Sequence, residues 1–222
     1  MKEDGIILNI DKPAGITSFQ VVREVRRITG MKKVGHAGTL DPAATGVLIV
    51  LVGRGATKRF AEFADLAKTY ETTFRLGIRS TTHDLDGEIL TDEPVEIDTA
   101  HLQQALSHYR GTFEQVPPMY SAKKRNGRRL YKLAQKGKSV EREPARVTIH
   151  ELRLLDHRGR DVRLRITCSK GTYIRALARD LGNDLETHAV VADLTRTAVG
   201  EYQLEDATPL ADLEREWNFL AA

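Results

Sequence analysis

Val162, Leu164 and Ile166 alternate with Arg163, Arg165 and Thr167. A period of two puts one set of side chains on each face of an extended strand, so this segment suits only a sheet with one face buried and the other wet. Residues 146–155 read as a second long strand. The apolar runs at residues 6–10 and 47–52 read as buried strands, and residues 69–78, rich in β-branched and aromatic side chains, as another. Helices lie among them. Thr17 and Gln20 have the spacing of a capping box; Phe19, Val22, Val25 and Ile28 then recur at helical spacing with Arg23, Arg26 and Arg27 opposite, and Gly30 stops the helix. Asp98 caps a helix to about Tyr109, and Thr172 caps one to Leu185. A strand over residues 193–203 and a helix from about Pro209 to Phe219, fastened by Trp217 and Phe219, close the pattern. Strands and helices intermingle without a regular βαβ repeat, which predicts an α+β fold on a mixed sheet rather than a doubly wound one.

Composition narrows the class. At 41% hydrophobic and 29% charged, the 222 residues suit an ordinary globular chain and neither a disordered nor a membrane one. The start, Met1-Lys2-Glu3-Asp4-Gly5, lacks a signal peptide's pattern. The lone Cys168 excludes an internal disulfide and a cysteine-cluster metal site, so a cytoplasmic protein is expected. The net charge of +3 conceals an uneven distribution. Between Ser121 and Arg146 stand ten Lys or Arg against Glu141 and Glu143 alone, whereas residues 82–98 hold seven Asp or Glu and no Lys or Arg. A basic arm of this kind suits a polyphosphate partner, and equally a solvated loop that repels itself.

The segment from Gly35 to Leu48, GHAGTLDPAATGVL, has three glycines in twelve residues and leads into an apolar strand. Such a loop allows close approach to its backbone. An acidic residue held there can be a nucleophile or a general base, although Asp before Pro is also a common turn residue. No Lys-Ser or Lys-Thr pair follows at the spacing of a phosphate-binding loop.

This segment resembles the catalytic motif of TruB-type pseudouridine synthases, whose Asp before Pro is the essential nucleophile. Asp11-Lys12-Pro13-Ala14-Gly15-Ile16-Thr17-Ser18 is similar to that family's first motif, Lys68-Thr69-Tyr70 to its Lys-x-Tyr motif, and residues 82–87 to its acidic loop. Pro117-Pro118-Met119-Tyr120-Ser121-Ala122-Lys123 resembles its RNA-facing insertion, residues 169–182 the motif with its catalytic Arg, and residues 193–197 the segment whose Leu lines the base pocket. The matches follow the family's order from Asp11 to Thr197.

The resemblance implies a pseudouridine synthase fold: one catalytic domain over residues 1–222, a central sheet flanked by helices, and an RNA-facing insertion at about 112–146. The implied reaction turns uridine into pseudouridine at position 55 in the T-loop of tRNA. Asp41 attacks ribose C1′ or uracil C6, or assists a glycal route, and these stay open. Arg175 is its implied cationic partner. Tyr70 stacks on the flipped base and takes the last proton, Leu194 walls the pocket, and Tyr173 adds a second aromatic. His36 fills the gap the base leaves, and Asp84 pairs with Arg175. Lys12 and the arm with Lys123, Lys124, Arg125 and Arg128 contact phosphates. The implied isomerisation is redox-neutral, with no cofactor and no metal; a monomer acting on the T-arm stem-loop, away from membranes, is expected. Most bacterial members continue into a PUA-like C-terminal domain that this sequence lacks, which bears on RNA affinity. The alternatives are a non-catalytic tRNA-binding or folding protein of the same fold, and a guide-dependent synthase acting on ribosomal RNA. A paired-carboxylate sugar hydrolase fails for want of a second acidic motif in a comparable loop. His83 stands where a smaller residue is expected and receives no role.

Overall fold

A computed structural model describes residues 5–121, 124, 125, 128, 129, 133, 134 and 140–221. The chain divides into two compact units, Met1–Glu71 with Asp193–Ala222, and Thr72–Ala192. The strands form a mixed, mostly antiparallel sheet system with helices, an α+β fold.

The first unit is built on β1 (Ile6–Lys12), β2 (Val34–Ala37) and β3 (Thr45–Val52). β3 pairs antiparallel with β1 and β2, and its nearly all-apolar residues are buried on both faces, Leu48, Val50 and Val52 in one core cluster and Val47, Ile49 and Leu51 in another. Helix α1 (Ser18–Thr29) follows the predicted capping box, with Thr17 as N-cap and Gly30 as a left-handed C-cap at φ 66°. Its buried face holds Ser18, Val21, Val22 and Val25, while Phe19 is 58% exposed. The expected stripe was therefore wrong at one end. A step of three residues drifts about 60° around a helix, so the three steps from Phe19 to Ile28 drift about 180° and cannot stay on one face. Short helices α2 (Gly53–Lys58) and α3 (Phe60–Ala64) follow, neither of them read from the sequence.

The strand expected over 69–78 begins at Lys68 as β4 (Lys68–Leu76), and β5 (Ile78–Ser80) pairs with β6 (Ile89–Asp92). In the second unit α4 (Thr99–Ser107) starts at the Asp98 cap, whose Oδ1 accepts from the amides of Ala100 and His101. β7 (Gly111–Gln115) pairs with β10 (Ala145–Arg158), which pairs with β11 (Asp161–Cys168), all antiparallel. In the chain between β7 and β10, the two-residue strands β8 (Lys124–Arg125) and β9 (Arg128–Arg129) pair antiparallel. Val162, Leu164 and Ile166 on β11 are fully buried and Arg163 and Arg165 exposed, as the alternation predicts.

Helix α5 (Ile174–Asp184) starts later than expected. Thr172 donates to the Ser169 carbonyl (3.0 Å) instead of capping it, and Tyr173 is an N-cap without a side-chain bond. β12 (Ala189–Val199) leads from the second unit to the first, where β13 (Tyr202–Gln203) and β14 (Thr208–Pro209) follow. The last helix, α6 (Leu213–Ala221), begins after Pro209 and not at it, because Pro209 lies in β14, parallel to β1. Among the described residues no helix is long and apolar enough to cross a membrane.

Candidate active site

Asp41 lies in the first unit, half-buried in the turn between β2 and β3. The loop's beginning differs from the expectation, since Gly35, His36 and Ala37 are strand residues of β2. The first motif holds the turn from one side. Ser18 Oγ donates to the Leu40 carbonyl (3.0 Å) and accepts from the Leu40 amide (2.9 Å), immediately before Asp41. The Pro42 carbonyl, immediately after it, accepts from the Gly15 amide (2.9 Å) and from Lys12 Nζ (3.1 Å). Asp41 thus stands between two anchored neighbours, which restrict the backbone of the turn that carries it.

Lys12 is fully buried, and Nζ also donates to the carbonyls of Pro13 (2.7 Å) and Ile16 (2.8 Å). The phosphate contact expected of Lys12 does not suit this placement, because its donors are turned inward to three backbone oxygens. Burial lowers its pKa to about 8; the Asp41 carboxylate opposes the shift and the Arg196 charge adds to it. Lys68 is buried as well, with Nζ on the carbonyls of Ala64 (2.5 Å) and Leu66 (2.6 Å).

Arg196, which the sequence reading passed over, is 1% exposed. Its Nε donates to the Val47 carbonyl (2.7 Å) and Nη2 to that of Gly38 (3.0 Å). The signal was its parity with Ala198 on β12, which puts both on the buried face. His36, half-buried on β2 opposite Val50, has its pKa lowered by burial and then by the Arg196 charge. Tyr70 is buried in β4 and Leu194 half-buried in β12.

The second unit carries Arg175, 6% exposed on α5. Arginines four apart usually mark a solvated face, yet this guanidinium is turned inward. Nη1 donates to the Thr82 carbonyl and Nη2 to that of Tyr120, both at 2.9 Å, and Nε stands 3.5 Å from Asp84 Oδ2. Asp84 is itself held, by the Thr82 hydroxyl and by the Asp86 amide (3.1 Å), so the acidic loop wraps the pair. Tyr173 is fixed by Gln115, which accepts from its amide (2.8 Å) and donates to its carbonyl (3.2 Å). His83 takes φ 63° beside Asp84. Burial and the charges of Arg179, Arg175 and Arg142 lower its pKa to about 4, against the pull of Asp84. Lys123 lies outside the described residues, and for Lys124, Arg125 and Arg128 only the backbone strand pairing is described.

Residues 26–174 match the TruB family pseudouridylate synthase (N terminal domain). Proteins named tRNA pseudouridine synthase B are similar along nearly the whole chain. That of Pseudomonas syringae pv. syringae (strain B728a) is 48% identical over 95% of this chain and 68% of its own length. That of Geobacillus kaustophilus (strain HTA426) is 47% identical over 96% and 76%. Among solved structures, a chain of a Cbf5-Nop10-Gar1 complex superimposes with a TM-score of 0.77 at 26% identity, covering 99% of this chain and 56% of that one. A chain of the archaeal box H/ACA sRNP Nop10-Cbf5 complex gives 0.71 at 25% identity, covering 99% and 55%. The matched family spans the Asp41 turn, the acidic loop and the start of α5, and the chain belongs to the TruB family of pseudouridylate synthases.

Proposed function

We propose that this chain converts uridine to pseudouridine at position 55 in the T-loop of tRNA, with Asp41 as the nucleophile. The observation that carries the reading is the anchoring of Leu40 and Pro42 on either side of Asp41 by Ser18, Gly15 and Lys12. A turn residue with only a local role needs no such support from a segment more than twenty positions away.

The target base is stacked in the RNA and must first be flipped out, at a cost of about a few kcal/mol. Asp41 then acts at ribose C1′ or uracil C6, or assists loss of the base as a glycal forms. The N1 bond breaks, the uracil turns, C5 bonds to C1′, and the proton on C5 leaves. Tyr70 offers its ring to the base and its hydroxyl to that proton. Arg175 supplies positive charge, with Asp84 fixing its direction, and Tyr173 and Leu194 give apolar contact. His36, neutral near pH 7, fills the stack in place of the flipped base.

The chain works as one catalytic domain with residues 112–146 as an RNA-facing insertion, a monomer in the cytoplasm. Identity near 48% to proteins named for tRNA supports tRNA as the substrate.

The test is tritium release from C5-labelled uridine in a T-arm stem-loop. Wild type is expected to release tritium while Asp41→Asn does not. Release by Asp41→Asn at the wild-type rate removes the nucleophile assignment, and silence from both proteins moves the weight to a non-catalytic RNA-binding role.

A further inference from the structure

We propose that Arg196 is a positioning residue for the reaction, a clamp that holds the two ends of the Asp41 turn at a fixed separation. The inference rests on the reading of Asp41 as nucleophile. Its three nearest acceptors are all backbone carbonyls, two ahead of Asp41 and one behind it: Gly38 (3.0 Å), Thr39 (3.5 Å) and Val47 (2.7 Å). A guanidinium is planar, with donors in a fixed fork, so bonds from Nε and both Nη atoms set the spacing of these carbonyls as a flexible ammonium cannot.

The backbone supports the same conclusion. Arg196 is in parallel register with Gly46, which adopts φ 95°, and a Cβ there would lie 2.2 Å from the Arg196 carbonyl oxygen. The hydroxyls of Thr195 and Thr45 meet at 2.9 Å one residue earlier. β12 is therefore in direct backbone contact with the exit of the turn, and the side chain then reaches back to its entrance. At 1% exposure the guanidinium has no water to replace a lost carbonyl, so any widening of the turn leaves a buried donor unsatisfied. Lys12 and Ser18 fix the residues adjacent to Asp41; Arg196 fixes the frame around them.

The experiment compares Arg196→Met, which keeps an apolar stem and loses both fork and charge, with Arg196→Lys, which keeps stem and charge and loses the fork. Single-turnover tritium release from the stem-loop at saturating enzyme reads the chemical step, filter retention reads RNA affinity, and thermal melting checks folding. The expected result is a chemical step slowed on the order of 100-fold in Arg196→Met, with affinity unchanged. Arg196→Lys should be slowed as well. Folded variants with the wild-type chemical step, or a loss confined to affinity, would overturn the proposal. Should Arg196→Met not fold, Arg196→Lys decides by the same two quantities. The NMR titration midpoint of His36 should rise in Arg196→Met, and an unmoved midpoint contradicts the placement of the guanidinium beside the turn. Asp41→Asn separates the two readings: if it stays active, the nucleophile assignment fails, whereas a silent Asp41→Asn beside fully active Arg196 variants sinks only the clamp.

Discussion

His83 shows at the scale of one residue how the site bears on stability. Its φ of 63° is a conformation in which a side chain crowds the following carbonyl, and Asn tolerates it better. Its pKa falls from 6.5 in the unfolded chain to about 4 in the folded one. Below pH 6.5 the unfolded chain gains a proton that the folded chain refuses, so stability is full above that pH and declines as the pH falls towards about 4. The thermal midpoint of wild type should accordingly drop more between pH 7 and pH 4.5 than that of His83→Asn, as calorimetry at the two pH values would show. Equal drops would mean that the imidazole titrates normally. The sequence marked His83 as out of place but could not say why, because neither its backbone angle nor the three arginines around it follow from spacing. Asp41 was legible from its glycine-flanked loop only as one option among several, and the motif order singled it out. Arg196 was missed because an arginine among β-branched residues reads as an edge or surface position until its parity is followed into the buried half of the strand.

The decisive element is the exit of the Asp41 turn into β3. Gly46 stands there with a positive φ and a neighbour too close for any side chain. Gly46→Ala combines a strained backbone with a clash against backbone atoms that cannot swing away. It should lower the unfolding free energy by about 3 kcal/mol in a urea titration and slow tritium release as well. A variant as stable as wild type would show that β12 can withdraw from β3 at little cost. Elements with a local signature were readable from sequence alone, including the Thr17 and Asp98 caps, the Gly30 stop and the alternation of β11. β2 escaped notice because its four residues, Val-Gly-His-Ala, carry no period, and their strand state comes from pairing with β3. The late start of α5 has a similar cause: Gln115 of β7, far away in sequence, takes the amide of Tyr173.

For the molecule as a whole, the proposed RNA contact rests on the distribution of charge rather than on the net charge of +3. The ten basic residues of 121–146 should neutralise phosphates and release counterions, so affinity for the stem-loop should fall as salt rises. Replacing Lys123, Lys124 and Arg125 by Ala should flatten the log–log salt dependence by roughly 2 while leaving the saturated chemical step largely intact. An unchanged slope would remove the arm from the RNA interface. The two compact units were not legible, because the chain leaves the first unit in mid-strand and returns to it in mid-strand, without the Gly- or Pro-rich linker that marks a boundary in sequence. That return has a consequence for the protein during its synthesis. The ribosome delivers the Asp41 turn early, but the bond from Arg196 to Gly38 joins residues 158 positions apart. A nascent or prematurely released chain that ends before Arg196 carries the Asp41 turn without the Arg196 bonds to Gly38 and Val47. If Asp41 and Arg196 act as proposed, competence to break a glycosidic bond arrives only when nearly the whole fold has been translated.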